Sequence, residues 1–168
     1  MRNPERHALI VGASRGLGLG LTETFLRRGW RVTATRRGSA PDLERLSAQG
    51  ARVETTDIDD DASVDLIFVV AGILGESDRP LHAVPRAVHA QVFLTNAVSP
   101  ILFAEAFHDR LVSGGTIAFM SSGLGSVGLN TDGGWENYRA SKAALNTNAR
   151  SFAARHAERS FGVLLRHP

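Results

Sequence analysis

One phenol and one primary amine stand four residues apart in this chain. Tyr138-Arg139-Ala140-Ser141-Lys142 holds the only tyrosine and the only lysine of the 168 residues, every other basic side chain being an arginine. On a helix, residues four apart share a face. An ammonium group beside a phenol favours the phenolate and lowers the phenol's pKa. It is also a compact, titratable donor, whereas a guanidinium is planar and permanently charged. The pair therefore reads as a proton-transfer site. A Tyr-x-x-x-Lys spacing alone also arises by accident on a solvated helix face, so the elements around it must decide.

The first of those elements is a strand followed by a glycine turn. Ala8-Leu9-Ile10-Val11 is a short apolar run that reads as a buried strand, and it enters Gly12-Ala13-Ser14-Arg15-Gly16-Leu17-Gly18. Leu17 to Arg28 then reads as a helix closed by Gly29. Strand, glycine-rich turn and helix form the context a dinucleotide fingerprint requires. Glycines let backbone approach a pyrophosphate, and the helix N-terminus attracts its charge. Arg31-Val32-Thr33-Ala34-Thr35 reads as a second strand ending at Arg36-Arg37. A carboxylate at that place would take the ribose hydroxyls of NAD. Arg36 stands there instead, and Arg15 can approach the same place. Two guanidiniums suit a 2′-phosphate, so the expected cofactor is NADP(H).

Further along, Ser39-Ala40-Pro41 opens a short helix that ends at Gly50. Strands are expected over 52–56 and 65–70, the first followed by Asp57 and the second by Ala71-Gly72. About eight residues, Asp57 to Val64, separate these strands. A parallel crossover normally takes a dozen or more, usually with a helix. Either a helix is absent here or residues are missing between Val64 and Asp65, and the geometry favours the second.

Leu81 to Leu111 reads as largely helical, interrupted by Pro85 and Pro100. A proline inside a helix frees the carbonyl four residues earlier, here that of Asn96, which can hold a water. A fifth strand is expected over 115–120, ending at Ser121-Ser122-Gly123. Hydroxyls at the carboxyl end of a parallel strand lie where open α/β sheets bind ligands. After a glycine-rich loop from Leu124 to Gly134, Trp135 to Ser160 reads as the helix carrying Tyr138 and Lys142, and Val163-Leu164-Leu165 begins a sixth strand.

Composition narrows the classes. One domain is expected over 1–168, with enough length for a core. The absence of cysteine excludes disulfides and thiolate metal sites and fits a reducing compartment. No apolar run reaches the ~20 residues of a membrane span, and the polar N-terminus is unlike a signal peptide. A cytoplasmic protein is expected. The net charge is only +2, with scattered arginines, so no nucleic-acid partner is expected. The six histidines show no metal-ligand spacing, and no metal is expected.

Together these residues resemble the short-chain dehydrogenase/reductase family over nearly the whole chain. Gly12 to Gly18 looks like its cofactor loop, and Asp57 matches the acidic residue near the adenine. Asn96, Ser122, Tyr138 and Lys142 match its catalytic tetrad in order. Asn130-Thr131-Asp132-Gly133-Gly134-Trp135, with the long gap from Ser122 to Tyr138, looks like the C-factor-like or sniffer-like branch. The resemblance implies an α/β, doubly wound, Rossmann-like parallel sheet, here without one crossover helix and the C-terminal strand. It implies NADP(H) held by Gly12, Ser14, Arg15, Gly16, Leu17, Gly18, Arg36, Asp57, Ala71, Gly72, Tyr138 and Lys142. Tyr138 would act as general acid or base, Lys142 would lower its pKa and hold the nicotinamide ribose, Ser122 would bond the reacting oxygen, and Asn96 would keep a relay water. A small carbonyl or alcohol would be the substrate, and the two long helices would form a homodimer or homotetramer. The chain departs from the family at Val69-Val70-Ala71-Gly72, where an Asn-Asn-Ala-Gly is usual, and in stopping before a further turn, loop and strand. A non-catalytic dinucleotide-binding or signalling protein is the alternative, and a remnant that binds nothing is a third.

Overall fold

Among the described residues, six segments become six parallel strands of one sheet. The computed structural model describes residues 6–54 and 63–168. The strands are β1 (His7–Val11), β2 (Arg31–Thr35), β3 (Ala51–Glu54), β4 (Val64–Val69), β5 (Leu111–Met120) and β6 (Gly162–Arg166). They lie in the order β3-β2-β1-β4-β5-β6, every neighbouring pair parallel. The order reverses between β1 and β4, the place where open α/β sheets leave a crevice outside their carboxyl ends. The doubly wound, Rossmann-like expectation holds.

Alternation along the strands sends side chains to two cores. Ala8, Ile10, Val32, Ala34, Phe68 and Ala118 face one side, packed with Leu43 and Leu46. That side is covered by α1 (Gly16–Arg27) and α2 (Pro41–Ser47). Proline at the first turn of α2 costs no helical hydrogen bond, and Asp42 and Glu44 complement its positive end. Leu9, Ile67, Val69, Ile117 and Phe119 face the other side. There they meet the long helical segment before β5, together with α5 (Glu136–Arg155). The Phe119 and Phe152 rings, both fully buried, meet edge to face at 6.4 Å across this core.

The segment before β5 is α3 (Arg86–Phe93), a π turn (Leu94–Val98) and α4 (Ser99–Phe107). By length and composition, Arg86–Arg110 would suffice to cross a bilayer, with a mean hydropathy of 1.3 over its most apolar window. In the fold one face of it is buried, at Val92, Asn96, Ala97 and Ala104, while Leu94, Val98 and Leu102 are exposed. Pro100 explains the π turn. It cannot donate to Asn96, and the ladder widens so that Ser99 N–H reaches back to the Leu94 carbonyl.

The remaining differences from the sequence reading are at element ends. α5 stops at Arg155 rather than Ser160, because His156 leaves helical geometry at φ −109° and the chain folds back. That turn stacks Phe161 on Phe152 at 6.0 Å. β5 begins at Leu111 rather than Gly115, and a register shift between Val64 and Leu66 accommodates its first residues against β4. The Asp57–Val64 crossover and Asp57 itself fall almost wholly outside the described residues. Among those residues β6 pairs only with β5, and Leu164 and Leu165 are exposed.

Candidate active site

The glycine loop is built by close approach. Gly12 follows β1 with φ +89°, and a Cβ there would lie 2.8 Å from Ala71 after β4. A Cβ on Gly18 would lie 2.2 Å from the Gly12 carbonyl oxygen, so no side chain fits between α1 and the loop. The Gly12 N–H donates to Thr35 Oγ1 at 3.1 Å and the Ala13 N–H to the Thr35 carbonyl at 2.9 Å, tying the loop to the end of β2. Arg15 caps α1 in an extended conformation, exposed, with no side-chain cap. Ser14 lies beside it, Gly16 has an open Cβ direction, and Leu17 is half exposed.

Arg36 stands at the end of β2, as the sequence reading places it, but it has a carboxylate neighbour. Its Nη1 donates to the Gly38 carbonyl at 2.7 Å and lies 3.4 Å from Glu44 of α2. Glu44 was hidden from a sequence search because α2 folds back over the strand end. Arg36 Nε is buried without a hydrogen-bond partner. Val70 packs into the α1/α2 core where the family places an asparagine.

The four tetrad positions converge from three elements. Asn96, fully buried in the π turn, binds the backbone of Ile73 twice: Oδ1 accepts from Ile73 N–H and Nδ2 donates to its carbonyl, each at 2.8 Å. Nδ2 also donates to Ser141 Oγ at 3.0 Å, and Ser141 Oγ donates to the Tyr138 carbonyl at 2.8 Å. Asn96 thus joins the loop after β4 to the helix carrying Tyr138. Ser122, at the end of β5, accepts from Leu124 N–H at 3.2 Å and also hydrogen-bonds Tyr138. Lys142, 3% exposed, donates from Nζ to the Met120 carbonyl at 2.8 Å. A Cβ on Gly72 would come within 3.3 Å of Asn96 Oδ1 and 3.5 Å of Lys142 Nζ, so that glycine keeps a passage open to both.

Burial governs the electrostatics of both Tyr138 and Lys142. Burial raises the pKa of Tyr138, and its hydrogen bond with Ser122 lowers it by less. Lys142 Nζ lies 5.7 Å from the phenol ring centroid and donates a hydrogen bond to the Met120 carbonyl. Burial depresses Lys142 itself to about 8. The phenol is therefore protonated at neutral pH, the form that gives a proton to an oxygen.

Residues not singled out from sequence complete the setting. Ser141 was visible inside the pentapeptide, one helical turn from Tyr138. Ser121 donates to Asn146 Oδ1 at 2.6 Å, holding the end of β5 against α5. His89 bonds both Asn137 Oδ1 at 2.8 Å and the Leu81 carbonyl at 3.2 Å, a tertiary contact that no spacing reveals. A cleft of about 370 Å³ runs between Ser77–Pro80 and Gly134–Glu136. Trp135, in a left-handed conformation at φ 53°, sets its ring edge to face with Tyr138 at 6.2 Å.

Comparison with known proteins places this geometry. A family model described as enoyl-(acyl carrier protein) reductase matches residues 12–163. The chain belongs to the short-chain dehydrogenase/reductase family. Among curated members, 1-deoxy-11-beta-hydroxypentalenate dehydrogenase of Streptomyces arenae is 34% identical over 92% of this chain and 61% of its own length. C-signal of Myxococcus xanthus is 36% identical over 62% of this chain and 64% of its own. A carbonyl reductase of Pseudomonas aeruginosa PAO1, solved in complex with NADP, superposes with a TM-score of 0.88 at 36% identity, covering 98% of this chain and 79% of that one. Sniffer, a carbonyl reductase of D. melanogaster, superposes with a TM-score of 0.83 at 28% identity, covering 98% and 80%. The chain thus spans less than two thirds of the length of some short-chain dehydrogenase relatives and about four fifths of others.

Proposed function

We propose that this chain is an NADPH-dependent oxidoreductase acting on a small carbonyl or alcohol. The observation that carries the reading is the convergence of Tyr138, Ser122, Lys142 and Asn96 beside a glycine loop at the sheet's reversal point. The residues fit the cofactor: Gly12 and Gly18 leave no side chain in the loop, Gly72 opens onto Lys142, and Arg36 brings a buried, unpartnered Nε to the end of β2. Gly12, Ser14, Arg15, Gly16, Leu17 and Gly18 would hold the pyrophosphate, Arg15 and Arg36 the 2′-phosphate, and Ala71, Gly72, Tyr138 and Lys142 the nicotinamide half. Asp57 is the proposed adenine contact. NADP-bound relatives support the cofactor class.

NADPH, when bound, supplies the hydride. The protein's part is proton transfer and positioning. Tyr138 O–H donates to the carbonyl oxygen during reduction and takes the proton back in oxidation. Ser122 Oγ holds the same oxygen in line. Lys142 holds ribose hydroxyls, and Asn96 fixes the loop after β4 so that Gly72 stays clear of both. The test is consumption of NADPH by the purified chain across a panel of aldehydes and ketones. Turnover that Tyr138→Phe reduces about 10²- to 10⁴-fold bears the reading out. Equal turnover by the variant across all active substrates would overturn it.

The match to C-signal favours a second reading, a dinucleotide-binding protein whose role is signalling. It predicts NADPH binding with no turnover of any panel member.

A further inference from the structure

Far from the tetrad, at the other end of α5, the chain gathers two imidazoles and a carboxylate. Glu105 in the last turn of α4 and His108 in the 3₁₀ turn that follows are three residues apart, so they share a face. His156 ends α5. One ligand atom from each of the three lies within 4.8 Å of the others. Glu105 Oε2 and His156 Nε2 are 2.9 Å apart, and the two imidazole rings meet edge to face at 4.4 Å.

This cluster has a feature that a surface ion pair lacks. His108 is 9% exposed, packed against Phe152 and Phe161, and its Nδ1 is buried without a hydrogen-bond partner. The Asp109 carboxylate lies 3.2 Å from that nitrogen but is not aligned to accept from it. An imidazole buried with an unsatisfied nitrogen costs free energy that a ligand would recover. Two imidazole nitrogens and one carboxylate oxygen form a donor set for zinc-class ions, since calcium and magnesium take oxygen ligands.

We propose that Glu105, His108 and His156 form a binding site for a divalent transition-metal ion of the zinc class, with a water completing a tetrahedral set. Tetrahedral donors at zinc bond lengths lie ~3.3 Å apart, so separations of up to 4.8 Å must close by up to ~1.5 Å while the 2.9 Å Glu105–His156 pair opens slightly. Glu105 and His156 are partly exposed and have room to do so. Arg155 holds the other Glu105 oxygen from the solvent side, leaving Oε2 to turn to the metal. The ion would tie the end of α4 to the end of α5, about 21 Å along the helix from Lys142. Its role is structural, separate from the proposed hydride transfer. The sequence showed no metal-ligand spacing because His156 lies 48 residues beyond His108, and only the packing of α4 on α5 brings them together.

The test uses the tag-free 168-residue chain after chelator treatment. One equivalent of Zn²⁺ should bind saturably, and a hundredfold excess over Kd should raise Tm by about 5 °C or more. Co²⁺ should give tetrahedral d–d bands. His156→Asn and Glu105→Gln should each weaken binding at least tenfold. In the wild-type chain, labelled at histidine and needing no folded variant, Zn²⁺ should shift the His108 and His156 ring resonances and spare the other four. Absence of saturable binding would overturn the proposal. So would stoichiometric binding unchanged in both variants, or shifts confined to other histidines.

Discussion

At the residue scale, burial decides the behaviour of Tyr138 and Lys142. Lys142 is pushed down to about 8 by burial, below its usual value of about 10.5. The sign for stability follows. Below pH 8 both folded and unfolded chains carry the ammonium, and the burial penalty is fully present. Between pH 8 and 10.5 the unfolded chain binds the extra proton, so rising pH relieves the penalty. Wild-type stability, measured relative to Lys142→Met by urea unfolding, should therefore climb from pH 7.5 to 10. A flat difference would show that the ammonium is not desolvated. Asn96 is the second such residue. Its amide satisfies both backbone groups of Ile73 and bonds Ser141. Asn96→Ala leaves those buried groups unpaired and should cost about 3 kcal/mol in urea unfolding, with turnover lost as well. A cost under about 1 kcal/mol would mean water replaces the amide freely.

At the element scale, α1 carries two glycines in one turn with opposite meanings. Gly18 cannot take a Cβ without striking the Gly12 carbonyl, whereas Gly20 faces open space in the same helix. Gly20→Ala should stabilise the chain by about 0.5–1 kcal/mol, because alanine loses less backbone entropy in a helix. Gly18→Ala should destabilise it and weaken NADPH binding, since α1 must back away from the loop. Equal effects in thermal unfolding would refute the contact. The sequence showed where strand, turn and helix fall here because glycine spacing and apolar runs are local signals. It also showed that Pro100 disturbs the helix near Asn96. It could not show that the answer is a π turn, nor that Asn96 reaches Ile73 rather than only exposing its own carbonyl. Those outcomes depend on β4 and α5, which lie close only after folding. The Arg36–Glu44 pair and the Glu105–His108–His156 cluster were hidden for the same reason.

At the scale of the whole molecule, the proposed cofactor site draws on both halves of the sheet. The glycine loop belongs to β1 and α1, Arg36 to β2, and Gly72, Ser122 and Lys142 to β4, β5 and α5. A ligand held by all of them stabilises the folded chain by mass action, about 2.7 kcal/mol at a hundredfold excess over Kd. For a chain of this length that is a rise in Tm of about 5–10 °C. NADPH should give the larger shift and NADH the smaller, because the arginines gain only from the 2′-phosphate. Arg36 is the sharper probe because Glu44 competes for it at 3.4 Å. Arg36→Ser should weaken NADPH about tenfold and leave NADH nearly unchanged, the loss of one charge-assisted contact. Glu44→Gln should act in the opposite sense, releasing the guanidinium and tightening NADPH a few-fold. If Arg36→Ser weakened both cofactors equally, the guanidinium would be bracing the turn through Gly38 rather than reading the phosphate. If Glu44→Gln weakened NADPH, the ion pair would be holding Arg36 in place for its ligand rather than competing with it.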